Sequence, residues 1–229
     1  NSTQNRTANI AASFSSLVQD RLKLKTLSEG RGDITATAGP EDIFHYIYAL
    51  LYSSGYRERY APFLKKDYPR IFVCSDKELF RQLAYFGAEL TLLHLLKSPI
   101  PASGRISFPV VRPGVGAAVD KSCPAYLAPG EPEPGSGRVF SFGRVYINSA
   151  DTSTGCGAQY FEPVPKEVWE YKIGGYQVCE KWLKDRRGRV LSYDEQDTYC
   201  RIIYSIKRTL ELVSEIDSAI SAHGGWPLK

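Results

Sequence analysis

The residues best equipped for chemistry lie between Trp169 and Asp194, in WEYKIGGYQVCEKWLKDRRGRVLSYD. From Lys172 to Arg189 this segment sets six Lys/Arg against two carboxylates, with Tyr176 and Trp182 interleaved and Tyr171 just ahead. Cations mixed with aromatics suit a nucleic acid, because ammonium and guanidinium groups neutralise phosphates while rings meet bases. Lys172, Tyr176, Gln177, Lys181, Lys184, Arg186, Arg187 and Arg189 are therefore the candidate DNA contacts. Gln can bridge adenine N6 and N7, Arg can fork onto guanine O6 and N7, and Lys serves phosphate as a point charge. The competing reading is a basic helix end that is ordinary solvated surface. A second basic group, Arg57, Arg59, Lys65, Lys66 and Arg70, gives a local net charge of +3 over Tyr56–Arg70. It could meet phosphate or an adjacent domain.

Other constellations carry less. Asp151 followed by Glu170-Tyr171-Lys172 traces an acid…Glu-x-Lys pattern, in which two carboxylates hold Mg²⁺ and the lysine supports the attacking water. The pattern is short and common, so a Mg²⁺-dependent nuclease is the minor alternative. His45 and His94 sit in apolar helical runs, which predicts hydrogen-bonded structural histidines, and His223 lies in the tail. With no CxxC, HExxH or HxxxH spacing, no metal site is expected. There is no Pro-Pro dipeptide for an adenine clamp and no P-loop, and Gly174-Gly175 is too short for a methyl-donor loop. The chain reads as non-catalytic, with no cofactor of its own.

These candidates need elements to position them. Gly174-Gly175 permits positive φ and close backbone approach, and Tyr176 to Asp185 reads as a helix with Val178, Trp182 and Leu183 on its core face. Ser192 and Glu195 form a capping box, each side chain satisfying a free N–H of a helix start. Tyr199, Ile202, Ile203, Ile206, Leu210, Val213, Ile216 and Ile220 then stripe one face of a long helix stopped by Gly224-Gly225. Upstream, Pro40, Glu41 and Asp42 open a helix that Gly55 ends. A second short helix follows over Tyr56–Leu64, then a short buried strand at Ile71–Val73. Ser75 and Glu78 read as another capping box, starting a helix that Pro99 terminates. Between Pro101 and Phe161, β-prone runs occur at Arg105–Val111, Arg138–Phe142 and Arg144–Asn148. Ala128–Gly137 and Ser149–Ala158 read as exposed loops. The predicted class is α+β: helices at both ends bracket a small, mostly antiparallel sheet with long loops, and the chain ends in a long amphipathic helix. Residues 1–39 form an N-terminal segment. Residues 40–229 form the domain proper, helical over 40–99, sheet-rich over 100–173 and helical over 174–223.

Composition sets bounds. A chain of 229 residues is one large domain or two small ones. Its 43% hydrophobic content can fill a core, which excludes wholesale disorder. A net charge of only +4 means that any nucleic-acid footprint must be a local patch. Five scattered cysteines, an odd number, suit a reducing cytoplasm better than a disulfide scaffold. No apolar run approaches a membrane span and no signal peptide opens the chain, so no membrane partner is expected. The absence of Met, even at position 1, suggests a piece of something longer.

Longer words carry more. PEDIFHYIYALLYSSGYRERYAPFLKKDYPRI (Pro40–Ile71), SDKELFRQLAYFGAELTLLHLLKSP (Ser75–Pro99) and GRVYIN (Gly143–Asn148) come first. QYFEPVPKEVWEYKIGGYQVCEKWLKDRRGRVLSYDE (Gln159–Glu195) and YCRIIYSIKRTLELVSEID (Tyr199–Asp217) follow. In this order they closely resemble the C-terminal target-recognition (specificity) domain of type ISP restriction-modification enzymes, over Pro40 to Asp217. The resemblance implies a DNA sequence-reading module of a large bacterial translocase with N6-adenine methyltransferase activity. It implies duplex DNA and the methyltransferase domain of the same polypeptide as partners. S-adenosylmethionine and ATP would belong to the parent enzyme, not to this piece. In the family's pattern Asn148 and Gln159 lie closer in sequence, which leaves the strand register open here. The recognised words could be scaffold, with bases read from the middle, where Arg105, Arg112, Lys121, Arg138 and Arg144 lie. The alternative function is a helical docking module that couples enzyme domains with little DNA contact of its own.

Overall fold

The computed structural model describes residues 8–108, 116–149 and 158–228. The chain divides into two compact units, the first from residues 1–97 with 209–229 and the second from residues 98–208. Their mix of helices and small, mainly antiparallel sheets, ending in a long helix, is the α+β class expected.

In the first unit, α1 (Ala12–Leu22) buries Val18 and Leu22 and stops where Lys23 takes a φ of 53°. Two short parallel strands, β1 (Lys25–Thr26) and β2 (Thr37–Ala38), follow. Next, α2 (Pro40–Tyr52) starts as predicted, with its proline in the first turn, and Asp42 is wholly buried. A buried carboxylate needs partners. Asp42 accepts hydrogen bonds from the Gly39 amide at 2.9 Å, the Gly32 amide at 2.6 Å and Arg31 Nε at 3.1 Å.

Three local expectations are corrected here. The helix predicted over Tyr56–Leu64 is two pieces, α3 (Ser54–Arg59) and α4 (Ala61–Leu64). Pro62 explains the break, since it has no N–H to donate and its ring crowds the carbonyl four residues back. Ile71–Val73 is not a strand. Its backbone is satisfied by side chains instead: Tyr46 Oη donates to Phe72 O at 2.6 Å and Arg21 Nη1 to Val73 O at 2.9 Å. The cap of α5 (Lys77–His94) is Asp76, whose carboxylate accepts from the Glu78 and Leu79 amides at 2.7 and 3.2 Å. Glu78, the expected return partner of Ser75, is engaged by Arg81. Helices α2 and α5 pack closely at Gly87, where an added Cβ would stand 1.8 Å from the His45 carbonyl oxygen.

The second unit is built on short strands: β3 (Ala117–Ala118), β4 (Ala125–Leu127), β5 (Arg144–Tyr146) and β6 (Tyr160–Phe161). Strands β4, β5 and β6 form an antiparallel sheet in that order, with Tyr126 opposite Val145 and Val145 opposite Phe161. Only the last of the three β-prone runs is a named strand. Arg105–Val111 contributes the single bridge Ser107–Glu162, its residues from 109 lying outside the described ones, and Arg138–Phe142 the bridge Pro132–Val139. Across β5 and β6, Asn148 Nδ2 donates to Gln159 Oε1 at 2.6 Å and the Gln159 amide to Asn148 Oδ1 at 2.7 Å. The register therefore closes despite the extra residues between them.

Then come α6 (Lys166–Trp169), β7 (Lys172–Ile173), β8 (Tyr176–Gln177), α7 (Val178–Lys184), β9 (Val190–Leu191) and α8 (Tyr193–Ala222). Strand β9 pairs antiparallel with β3. The predicted capping box of α8 is present, Glu195 N to Ser192 Oγ at 3.2 Å and Ser192 N to Glu195 Oε2 at 3.1 Å. Past its end, Gly224 and Gly225 adopt φ of 101° and 71°. The buried stripe of α8 differs in its second half: Thr209 and Leu212 are buried, while Leu210 and Val213 are half-exposed. Residues 193–208 belong to the second unit and residues 209–222 to the first. Tyr199 anchors the second unit's core, with its ring 4.6 Å from Phe161 and 5.1 Å from Trp182.

Candidate nucleic-acid interface

The glycine pair makes a hairpin, not the lead-in to a helix. Lys172 faces Gln177 and Ile173 faces Tyr176 across β7 and β8, and Gly174 and Gly175 supply the two positive φ angles, 57° and 87°, of a two-residue loop. Tyr176 and Gln177 are thus strand residues, and the helix begins only at Val178. Its buried face is Cys179 and Leu183, with Val178 and Trp182 half-buried.

The basic residues after this hairpin are largely committed to the protein itself. Lys181 pairs with Asp185 and Lys184 with Glu180, both one helical turn away on exposed surface. Arg186 lays its guanidinium 3.5 Å above the Trp182 ring, donates to Trp182 O at 2.9 Å and reaches Glu195 Oε1 at 3.2 Å. Arg187 Nε donates to Cys123 O at 2.5 Å. Arg189 also pairs with Glu195. Glu195 is held below its ordinary value, first by its bond from the Ser192 backbone and then by Arg189 and Arg186. Gly188 N donates to Val119 O at 2.7 Å and Val119 N to Arg189 O at 2.9 Å, which ties the turn to the segment after β3. Gln177 Nε2 donates to Trp169 O at 3.2 Å.

Of the eight candidates, Lys172 and Tyr176 face outward and make no ion pair or side-chain hydrogen bond among the described residues, Tyr176 being 65% exposed and its cross-strand neighbour Ile173 62%. The ion pairs of Lys181 and Lys184 are of the surface kind, worth only ~0.3–0.5 kcal/mol, so a phosphate could displace them. The arginines are different. Arg186 and Arg189 connect α7 and the turn to the start of α8, and Arg187 ties the turn to the Cys123 backbone.

In the middle region, Arg105, Lys121 and Arg138 are exposed, and Arg112 lies outside the described residues. Arg144 is buried, 3.3 Å from the Phe140 ring centre and 4.1 Å from that of Tyr160, and it is ion-paired to Glu162 at 2.7 Å and Glu133 at 3.5 Å. The available sequence signal for this arrangement was the period-two spacing of Phe140, Phe142 and Arg144, which does not reveal Glu133 or Glu162. In the first unit, Arg70 alone of the second basic group lines a cavity of about 170 Å³, together with Tyr56, Tyr60, Phe63, Tyr68 and Phe72.

His94 is a satisfied structural histidine, with Nδ1 2.7 Å from Tyr48 Oη and Nε2 3.0 Å from Thr209 Oγ1. His45 departs from expectation, since its buried Nδ1 has no hydrogen-bond partner among the described residues. In the nuclease-like trace, Asp151 lies outside the described residues and Glu170 pairs with Lys166 at 3.8 Å. Among the described residues, no group of three or more His, Cys, Asp or Glu converges on a point. Nor is any helix among them long and apolar enough to cross a membrane.

Residues 1–215 match the family model of the Type ISP C-terminal specificity domain. No curated protein matches the chain. Among solved structures, the chain is similar to a nuclease-deletion mutant of the Type ISP restriction-modification enzyme LlaGI in complex with a DNA substrate mimic. There the TM-score is 0.50 at 24% identity, over 76% of this chain. It is also similar to the ATP-dependent Type ISP restriction-modification enzyme LlaBIII bound to DNA, with a TM-score of 0.50 at 18% identity over 92% of this chain. The chain spans 13% of the length of each of these proteins.

Proposed function

This chain belongs to the family of Type ISP C-terminal specificity domains, and on that basis we propose that it reads the DNA target for a larger restriction-modification enzyme. The observation that carries the reading is the family match over residues 1–215, to which the outward Lys172 and Tyr176 tip adds a surface suited to DNA. Catalysis would reside elsewhere in the parent polypeptide, in an N6-adenine methyltransferase domain using S-adenosylmethionine and in an ATP-driven motor. Neither cofactor would be held here. The methyltransferase domain would be the partner of this chain within the same polypeptide.

Phosphate contacts set register and orientation, while a few side chains at base edges set specificity. Lys172, Lys181 and Lys184 are assigned to phosphate. Tyr176 is assigned to sugar or base at the hairpin tip, where two glycines leave the backbone unshielded. Gln177, Arg186, Arg187 and Arg189 then serve chiefly to hold the frame. Their engagement inside the protein is also the one observation that favours the rival reading, a docking module with little DNA contact.

Duplex binding by the chain at several salt concentrations separates the two. A target reader binds duplex DNA with log affinity falling linearly against log salt, and Lys172→Ala flattens the slope by about 0.9. Absence of salt-dependent duplex binding by a folded chain refutes the reading in favour of the docking module.

A further inference from the structure

We infer that the excursion between β4 and β5, residues 128–142, is a preformed finger that reads bases, with Arg138 as its specificity-determining residue; this rests on the DNA-reading function proposed above. Sequence composition, APGEPEPGSG, suggested a plain exposed loop. The loop is exposed, and its two limbs are tied together: Gly130 N donates to Phe140 O at 2.9 Å and Glu133 N to Arg138 O at 2.7 Å, while Gly137 N to Glu133 O at 2.9 Å closes the tip. Pro132 and Val139 form an antiparallel bridge between its two limbs.

The finger is also braced at its root. Glu133 accepts a hydrogen bond from Tyr146 Oη at 2.5 Å and pairs with Arg144, while Phe140 lies under the Arg144 guanidinium. Arg144 is itself fixed by Glu162 and is only 8% exposed. It therefore acts as a positioning residue. A two-stranded ribbon is one of the few elements that fit the major groove, where each base pair has its own donor and acceptor pattern. Fixing such a ribbon beforehand avoids an ordering cost on binding.

The charges on the finger are sorted to the same end. Its two carboxylates are both engaged locally, Glu131 on the exposed surface accepting from the Ala128 amide at 3.1 Å and Glu133 held as described. Arg138 is exposed and makes no ion pair among the described residues, and beside it Val139 is 61% exposed. An arginine on a rigid ribbon suits guanine O6 and N7, and a valine suits the thymine methyl group. A flexible, carboxylate-fringed loop would do neither.

The test is selection of bound sites from a random duplex pool by the 229-residue chain, by Arg138→Ala and by Arg138→Lys. Melting temperatures serve as the folding control, and Arg138, being exposed, should leave them unchanged. The parent should enrich a motif containing guanine. Arg138→Ala should lose the preference at one position, with affinity for the parent's best site reduced roughly 5- to 150-fold and affinity for unrelated duplex barely altered. Arg138→Lys should keep the parent's salt slope without recovering the preference, because an ammonium lacks the fork. An unchanged motif in Arg138→Ala overturns the assignment. So does an equal loss on all sequences rescued by lysine, which would make Arg138 a phosphate contact. A folded parent chain that binds no duplex overturns the proposed function itself, before any variant is compared, and the finger's role with it.

Discussion

Replacing Arg186 by alanine should destabilise the second unit, although the residue lies in what reads locally as a solvent-exposed basic turn. The substitution removes three interactions at once. The stack on Trp182, with both groups partly desolvated at 3.5 Å, contributes about 1 kcal/mol. The bond to the Trp182 carbonyl contributes about 1 kcal/mol more. The pair with Glu195, in which each side chain is 25% exposed, adds up to about 1 kcal/mol. A total loss of about 2–3 kcal/mol lowers Tm by roughly 5–10 °C for a protein of this size. Lys184→Ala is the internal reference: its exposed pair with Glu180 is worth ~0.3–0.5 kcal/mol, so Tm should move by about 1–2 °C. Arg186→Lys keeps the charge but not the planar stack and should recover less than half of the loss. Thermal unfolding followed by circular dichroism reads all three. If Arg186→Ala melted within 2 °C of the parent, as Lys184→Ala should, the turn would be mere surface and the argument that it braces α7 against α8 would fail.

Three further outcomes are expected. Asp217 accepts from Ser53 Oγ at 2.6 Å, the Ser54 amide at 3.2 Å and the Gly55 amide at 3.4 Å; Asp217→Ala should therefore uncap α3 and cost about 2 kcal/mol in chemical denaturation, and no loss would refute that role. Burial pushes the thiols of Cys74 up to about 11 and of Cys179 up to about 12; site-resolved labelling at pH 8 should leave these two unmodified until the protein unfolds, with the half-exposed Cys200 labelled ahead of them, and rapid native labelling of either would contradict the packing. Glu133 is held below its ordinary 4.5 by bonds from Ser136 and Tyr146, then by Arg144. A depressed carboxylate contributes stability that is complete above its unfolded value and is lost as pH falls through the folded one. Hydrogen exchange at the Gly130 and Glu133 amides should thus accelerate, beyond its intrinsic pH trend, as pH falls below about 4.5. In Glu133→Gln this acid-dependent loosening should be missing, and its persistence would exclude Glu133 as the brace.

What was legible in the sequence was what short-range physics decides. The capping box at Ser192 and Glu195 and the helix start at Pro40 depend on residues within one turn, and both are present. The Ile71–Val73 strand failed for the opposite reason. Its composition suited a strand, but a strand needs a partner, and the hydroxyl of Tyr46, some 26 residues away, takes that place. Likewise Pro62 and Asp76 were visible as residues, but only their geometry shows which helix is broken and which cap is used.

The basic segment is the instructive case, because its charge was counted in a window that excluded its counter-charges. Between Lys172 and Arg189 six cations face two carboxylates; extending the window to Glu195 adds Asp194 and Glu195 and halves the net charge. Glu195 is the residue that takes both Arg186 and Arg189, and Arg187 donates to a carbonyl 64 positions away. A cation so engaged is costly to redirect, whereas one in a surface i,i+4 pair gives up little. Available cations, not total cations, determine where phosphate can bind. By that criterion the proposed DNA-facing surface is the Lys172 and Tyr176 tip with the Arg138 finger, not the turn, whose arginines hold α7, the start of α8 and the Cys123 backbone together.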